Sequence, residues 1–159
     1  MKVEQVMKQA VQACHAHDSL ERAAQLMWDH DCGCVPVVDN AEHVVGMITD
    51  RDVCMASYTK GGTLRELPVE DAMSKKVCVC REGDRVENAE RMMSANQIHR
   101  LPIVDAGGHL VGILSLNDLA QEAGREGAKK KAEVTFSDVG QTLGSICRPR
   151  GSRAIAVAA

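Results

Sequence analysis

The chain is nearly without aromatic side chains. Trp28, Tyr58 and Phe136 are the three among 159 residues, too few for the stacking platform that holds single-stranded nucleic acid. It also lacks an excess of basic charge. Nineteen Lys and Arg stand against 22 Asp and Glu, a net charge of −3, which argues against nucleic acid or an anionic membrane surface as the main partner. No apolar run approaches the ~20 residues of a membrane span, and Met1-Lys2-Val3-Glu4-Gln5 has no signal-peptide layout. Catalytic signatures are missing as well. There is no G-x-S-x-G elbow, no H-E-x-x-H helix and no Walker A loop, so the chain is read as a non-enzyme. Seven cysteines, an odd count without an export signal, are expected to be free thiols in the reducing cytoplasm.

What remains is an ordinary globular composition, 45% apolar and 26% charged, arranged twice. Pro36-Val37-Val38-Asp39 recurs as Pro102-Ile103-Val104-Asp105, an offset of 66 residues. The same offset pairs Met7 with Met73, Cys14 with Cys80, His43 with His109, Gly46 with Gly112 and Asp52 with Asp118. Between residues 3–53 and 69–119 there are 16 identities in 51 gapless positions. Such self-similarity marks a tandem duplication. Half of this chain is too short to bury an adequate core alone, so the two halves are expected to pack together about a pseudo-two-fold axis. The cleft at such a junction is a natural ligand site.

Each repeat reads as strand–helix–strand–strand–helix. Short strands are expected at Val11 to Cys14 and Val77 to Cys80. Asp18 and Asp84, each with Glu three residues on, read as N-caps of helices that end near His30 and Asn96. Strands follow at Val35 to Val38 and Leu101 to Val104, then at Val44 to Ile48 and Leu110 to Leu114. The last pair are continuous apolar runs, which predicts burial on both faces.

The densest chemistry lies where this third strand meets its helix. Gly46-Met47-Ile48-Thr49-Asp50-Arg51-Asp52 matches Gly112-Ile113-Leu114-Ser115-Leu116-Asn117-Asp118. A glycine permits close approach of a ligand or another backbone. A hydroxyl at a helix N-terminus is a natural phosphate contact, and an Asp one turn on can accept from a ribose diol. Thr-x-x-Asp and Ser-x-x-Asp are equally plain capping boxes, and duplication would copy a cap as readily as a binding site.

These two motifs, the Pro-[Val/Ile]-Val-Asp strands and the gapless duplication resemble a tandem pair of CBS (cystathionine β-synthase) domains, a Bateman module, over residues 1–124. The resemblance implies a mixed α/β fold of the α+β kind, with CBS domain 1 at residues 1–60 and CBS domain 2 at 67–124. Residues 125–159 would be a linker and an amphipathic helical tail. It implies an adenosine ligand held between the repeats: AMP, ADP, ATP or S-adenosylmethionine, as a regulatory ligand rather than an obligatory cofactor. Carried over by position, Thr49 and Ser115 would meet phosphate, Asp52 and Asp118 the ribose, and Val11 and Val77 the base. Gly46, Gly112 and Arg51 of the same motifs complete the expected set. Ile98-His99-Arg100-Leu101-Pro102 is similar to the phosphate-binding His-Arg-Leu-Pro stretch of AMP-activated protein kinase γ subunits, whereas repeat one has Cys32-Gly33-Cys34-Val35-Pro36. The basic pair is expected to serve the ligand held by the other repeat. Thr49, Asp52, His99 and Arg100 would then form the stronger phosphate site, and Ser115 with Asp118 a site for less charged ligands.

The resemblance also implies a homodimer through the helices beside the motif, with Val53, Cys54, Met55 and Leu119 as apolar surface, and an effector protein to receive the signal. A structural interaction module with vestigial clefts is the alternative. Cys32-Gly33-Cys34 and Cys78-Val79-Cys80 raise a thiol or metal sensor as a weaker one, but C-x-C is not the common zinc spacing and no metal site is expected. In the tail, Lys129-Lys130-Lys131 reads as linker. Phe136, Val139, Leu143 and Ile146 form a helical seam that would dock on this chain or on a partner. Arg148-Pro149-Arg150-Gly151 should end that helix, with disorder beyond it.

Overall fold

The computed structural model describes residues 1–127 and 132–149. The expectations for Lys129-Lys130-Lys131 and for the last ten residues therefore lie outside the described residues. Repeat one folds as β1 (Cys14–His15), α1 (Leu20–Asp29), β2 (Cys34–Val38), β3 (Val44–Thr49) and α2 (Asp50–Lys60). Repeat two copies it as β4 (Cys80–Arg81), α3 (Val86–Asn96), β5 (Arg100–Val104), β6 (Leu110–Ser115) and α4 (Leu116–Glu126), and α5 (Phe136–Ile146) follows. In each sheet the middle strand pairs parallel with the first and antiparallel with the third. Even the register shift recurs, at Val37/Val38 and at Ile103/Val104. No helix of the described residues is long and apolar enough to cross a membrane.

Three local expectations change. First, β1 and β4 begin only at Cys14 and Cys80, opposite Val37 and Ile103; the next residues back along the partner strands are Pro36 and Pro102, which have no N–H to offer. Val11 and Val77 fall in the irregular segments before them. Second, it is β2 and β5, in the middle of each sheet, that are buried almost throughout, whereas β3 and β6 alternate. An edge strand turns one face to the core, whatever its composition. Third, Asp18 and Asp84 do not cap helices. They accept the N–H groups of His15 (2.8 Å) and Arg81 (3.0 Å), which closes the turn after each first strand. Ser19 caps α1, and Arg85 stands at the equivalent place with no side-chain cap.

The sequence repeats are not the packing units. Val3 lies in the core of repeat two with Val86, Leu101 and Leu114, while Val69 lies in the core of repeat one with Leu20, Val37 and Ile48. The segment before each repeat crosses to the other. Lys8 exchanges backbone hydrogen bonds with Ile113 (2.9 and 2.9 Å), and Ser74 does so with Met47 (2.8 and 3.1 Å). This crossing explains the paired glycines. A Cβ on Gly46 would stand 2.5 Å from Met73 Sδ, and one on Gly112 would stand 2.6 Å from Met7 Sδ and 3.0 Å from the Lys8 carbonyl oxygen. The close approach they permit is to the crossing strap.

Pairs that join the halves exchange under the 66-residue shift. The bridge Lys2–Arg85 has its twin in Pro68–Ser19, and Lys8–Ile113 in Ser74–Met47. His43 and His109, twins of each other, stack with ring centroids 4.9 Å apart. Contact between twins and exchange of pairs are what a pseudo-two-fold axis produces.

α5 packs against α3 and α4. Its buried residues are Val139, Thr142 and Ile146; Phe136 and Leu143 of the expected seam are 64% and 43% exposed at its edge. Glu126 secures the approach, accepting the N–H groups of Glu133 (2.6 Å) and Val134 (3.0 Å). The tail thus docks on this chain's own repeat two. The surface expected for dimerisation also changes. Val53 and Leu119 are buried inside their own repeats, and Cys54 and Met55 remain exposed.

Candidate functional site

The third strand of each repeat ends on the cap of the next helix. Thr49 Oγ1 accepts the Asp52 N–H (3.2 Å), and Asp52 Oδ2 accepts both the Thr49 N–H (2.9 Å) and the Thr49 hydroxyl (2.7 Å). Ser115 and Asp118 repeat the arrangement. The capping box is therefore real in both copies, each cap stabilising its helix by about 0.5–2 kcal/mol. It spends one carboxylate oxygen and leaves the other. The copies part company at that second oxygen. Asp118 Oδ1 has Lys8 Nζ at 3.4 Å, and the Asp118 side chain is 5% exposed. Ser74 is the twin of Lys8, so Asp52 has no such cation, and its Oδ1 makes no hydrogen bond among the described residues.

Two clefts flank the pseudo-two-fold axis. Cleft one, about 630 Å³, is lined by Thr49, Asp50, Arg51 and Asp52 from the start of α2, by Ser74, Lys76, Val77 and Cys78 from the crossing strap, and by residues 96–100 leading into β5. Cleft two, about 290 Å³, has the twin lining: Ser115, Asn117 and Asp118 from β6 and α4, Lys8, Ala10 and Val11 from the other strap, and residues 30–32 from the end of α1. Of the expected ligand set, cleft one gathers Thr49, Arg51, Asp52, Val77, His99 and Arg100. Cleft two gathers Val11, Ser115 and Asp118, and shares Arg100 with cleft one. Gly46 and Gly112 line neither cleft, since they are spent on the strap.

Several lining residues had no signal in the motifs. Lys76 adds a cation to cleft one, and its twin in cleft two is Ala10. Asp31 adds an acid to cleft two where cleft one has Gln97. Asp31 and Gln97 share a left-handed backbone, with φ of 47° and 51°, which turns each chain from helix to strand at the cleft edge. Lys76 stands next to Val77 and could have been found by adjacency. Lys8 could not, because its role depends on a strap that crosses to the other repeat. Cleft one thus holds Arg51, Lys76, His99 and Arg100 against Asp50 and Asp52, whereas cleft two holds Lys8, His30 and Arg100 against Asp31 and Asp118; the larger positive excess makes cleft one the better seat for an anion.

The cysteines have a structural place. Cys14, Cys34 and Cys80 are buried, and burial is the largest cause that pushes their thiols up, to about 12, 11 and 12. The seven cysteines are free. No group of three or more His, Cys, Asp or Glu side chains is placed to hold a metal among the described residues.

The CBS domain family model matches this chain twice, at residues 3–58 and 69–124. The chain belongs to the CBS domain family. Among similar proteins is the CBS domain-containing protein YhcV of Bacillus subtilis, 36% identical over 118 residues that cover 74% of this chain and 82% of that one. Among solved structures, the CBS domain pair of protein MJ0100, in complex with 5′-methylthioadenosine and S-adenosyl-L-methionine, superposes with a TM-score of 0.71 at 25% identity, covering 79% of this chain and 98% of that one. CBSX2 in complex with AMP gives 0.67 at 26% identity, with 78% and 96% covered. The two repeats are thus a CBS pair, an α+β fold of two matching modules.

Proposed function

We propose that this CBS pair is a regulatory module that binds an adenosine ligand and acts as an energy or metabolite sensor, not as an enzyme. One observation carries the reading: a hydroxyl and a carboxylate from repeat one, Thr49 and Asp52, line the same cleft as His99 and Arg100 from repeat two. Asp52 Oδ1 would accept from ribose hydroxyls. Thr49, Lys76, His99 and Arg100 would hold phosphate, the guanidinium through a forked charge-assisted contact. Val77 would flank the base, and Arg51 would add charge at the rim. The bound ligands of MJ0100 and CBSX2, S-adenosyl-L-methionine with 5′-methylthioadenosine and AMP, support the ligand class. In cleft two, Ser115, Asp118 and Val11 would take a less charged adenosine. A ligand that joins groups from both repeats favours one angle between them and shifts the population toward it. A homodimer and an effector protein in the reducing cytoplasm would read that shift.

A second reading is favoured by a different observation. Trp28 and Tyr58 are 88% and 83% exposed on the helices of repeat one, which suits a protein-interaction module whose clefts are vestigial. Calorimetric titration with AMP, ATP and S-adenosylmethionine separates the two. The sensor predicts micromolar binding of at least one, with the cleft-one site lost in Asp52→Ala, where only cleft two remains, and retained in Asp118→Ala. No binding by folded, nucleotide-free protein would overturn it in favour of the interaction module.

A further inference from the structure

Cys34 and Arg100 occupy the same position in the two repeats, and each of them lines both clefts. Twins reach both clefts only where the pseudo-two-fold axis passes close to them. At this shared position the chain carries one guanidinium rather than two. Cys34 is buried, and its thiol is pushed up to about 11, chiefly by that burial, so it brings no charge to either side at neutral pH. Arg100 is half-buried, and its guanidinium makes no hydrogen bond or ion pair among the described residues. No carboxylate ties it to one cleft.

We infer that the two clefts compete for Arg100, so that a phosphorylated adenosine in one weakens the binding of a second in the other, while an uncharged adenosine escapes the penalty. The inference rests on the reading of both clefts as adenosine sites. Its physical basis is the fork itself. The guanidinium presents its donors in one plane, and turning them to a phosphate on one side withdraws them from the other. The remaining charges decide which side wins. Cleft one adds Arg51, Lys76 and His99 against Asp50 and Asp52. Cleft two adds His30 and Lys8, the latter already committed to Asp118, against Asp31. A phosphate therefore draws Arg100 toward cleft one, and cleft two accepts a second adenosine best when that adenosine carries no phosphate.

The test is calorimetric titration of the full chain with AMP, as wild type, Asp52→Ala and Asp52→Ala/Arg100→Gln. The wild type should bind one AMP strongly and a second about tenfold or more weakly, the scale of one lost charge-assisted contact. Disabling cleft one with Asp52→Ala should tighten cleft two about tenfold relative to that second AMP, and Arg100→Gln should abolish the gain. Asp52→Asn, which keeps an acceptor for the cap, repeats the comparison if the alanine variant does not fold. 5′-Methylthioadenosine should enter cleft two of wild type carrying one AMP as tightly as it enters cleft two of Asp52→Ala. Two equal AMP sites in the wild type would overturn the inference while leaving the adenosine reading intact. So would an Asp52→Ala affinity equal to that of the second wild-type AMP, or an equal penalty on 5′-methylthioadenosine. No AMP binding to folded wild type would remove the adenosine reading and the inference together.

Discussion

Repeat one leaves its helical face open where repeat two covers its own. α5 lies across α3 and α4, yet on the twin helices α1 and α2 the side chains of Trp28, Met55 and Tyr58 stand exposed. Buried Glu90 of α3 corresponds to Ala24, and Ser94 to Trp28. The clefts differ in the same manner. Most of their lining positions match under the 66-residue shift, while their charges do not: Lys76 faces Ala10 across the symmetry, and Ser74 faces Lys8. Duplication has kept what the backbone needs, namely the caps, the strap glycines and the central strands. It has let the side chains that meet solvent, α5 or cleft diverge.

The covered face gives the largest expected effects. Ile146→Ala, at a residue 6% exposed against repeat two, should lower stability by about 2–4 kcal/mol in urea unfolding. Trp28→Ala and Tyr58→Ala on the open face should each stay within about 0.5 kcal/mol. Equal effects on the two faces would dissolve the distinction.

Glu90 should make the covered face depend on pH. It is buried beneath α5, and its Oε1 has no hydrogen-bond partner among the described residues. Burial first, then the charges of Asp138 and Glu87, push its carboxyl up to about 7. The protonated form suits the folded state, so this contribution is full below the ordinary value of 4.5 and is lost as pH rises through about 7. Wild type should therefore lose on the order of 2 kcal/mol between pH 5 and 8 in thermal or urea unfolding. Glu90→Ala, which copies Ala24 of repeat one, should flatten that profile. An unchanged slope would show that Glu90 is not its source.

The straps give a smaller contrast. At Gly46 a new Cβ meets the flexible end of Met73, whereas at Gly112 it also meets the Lys8 carbonyl, which is backbone. Gly112→Ala should cost about 1–3 kcal/mol, and Gly46→Ala less. The reverse order in paired melts would mean that the Met7 strap yields more easily than the Met73 strap. The smallest effect is chemical rather than energetic. Alkylation at pH 8, followed by mass spectrometry, should label exposed Cys54 and Cys147 before Cys14, Cys34 and Cys80, whose thiols stay protonated.

Much of this was legible in the chain itself. The 66-residue offset gave the order of elements, and Thr49-x-x-Asp52 with Ser115-x-x-Asp118 located both caps and both clefts. Local patterns of this kind are written in residues that neighbour one another. What was hidden depends on long-range placement. The starts of β1 and β4 depend on where Pro36 and Pro102 of the partner strands withdraw an N–H, not on the strands' own propensity. Asp18 and Asp84 looked like caps because a turn-closing Asp and a helix-capping Asp differ by one position. The exchange of Val3 and Val69 between cores could not be seen, since either repeat would accept either valine. The two-faced charge of the clefts followed from that exchange, which brings Lys8 to Asp118 and Ser74 and Lys76 to the side of Asp52.

The central claim is that the two clefts, alike in frame, are unequal in chemistry, and that cleft one is the phosphate site. A crystal structure of the chain with AMP tests it most directly. The account predicts AMP in cleft one, its ribose on Asp52 and its phosphate against Thr49, His99 and Arg100. Phosphate seated instead on Ser115 and Lys8 in cleft two, with cleft one empty, would contradict it.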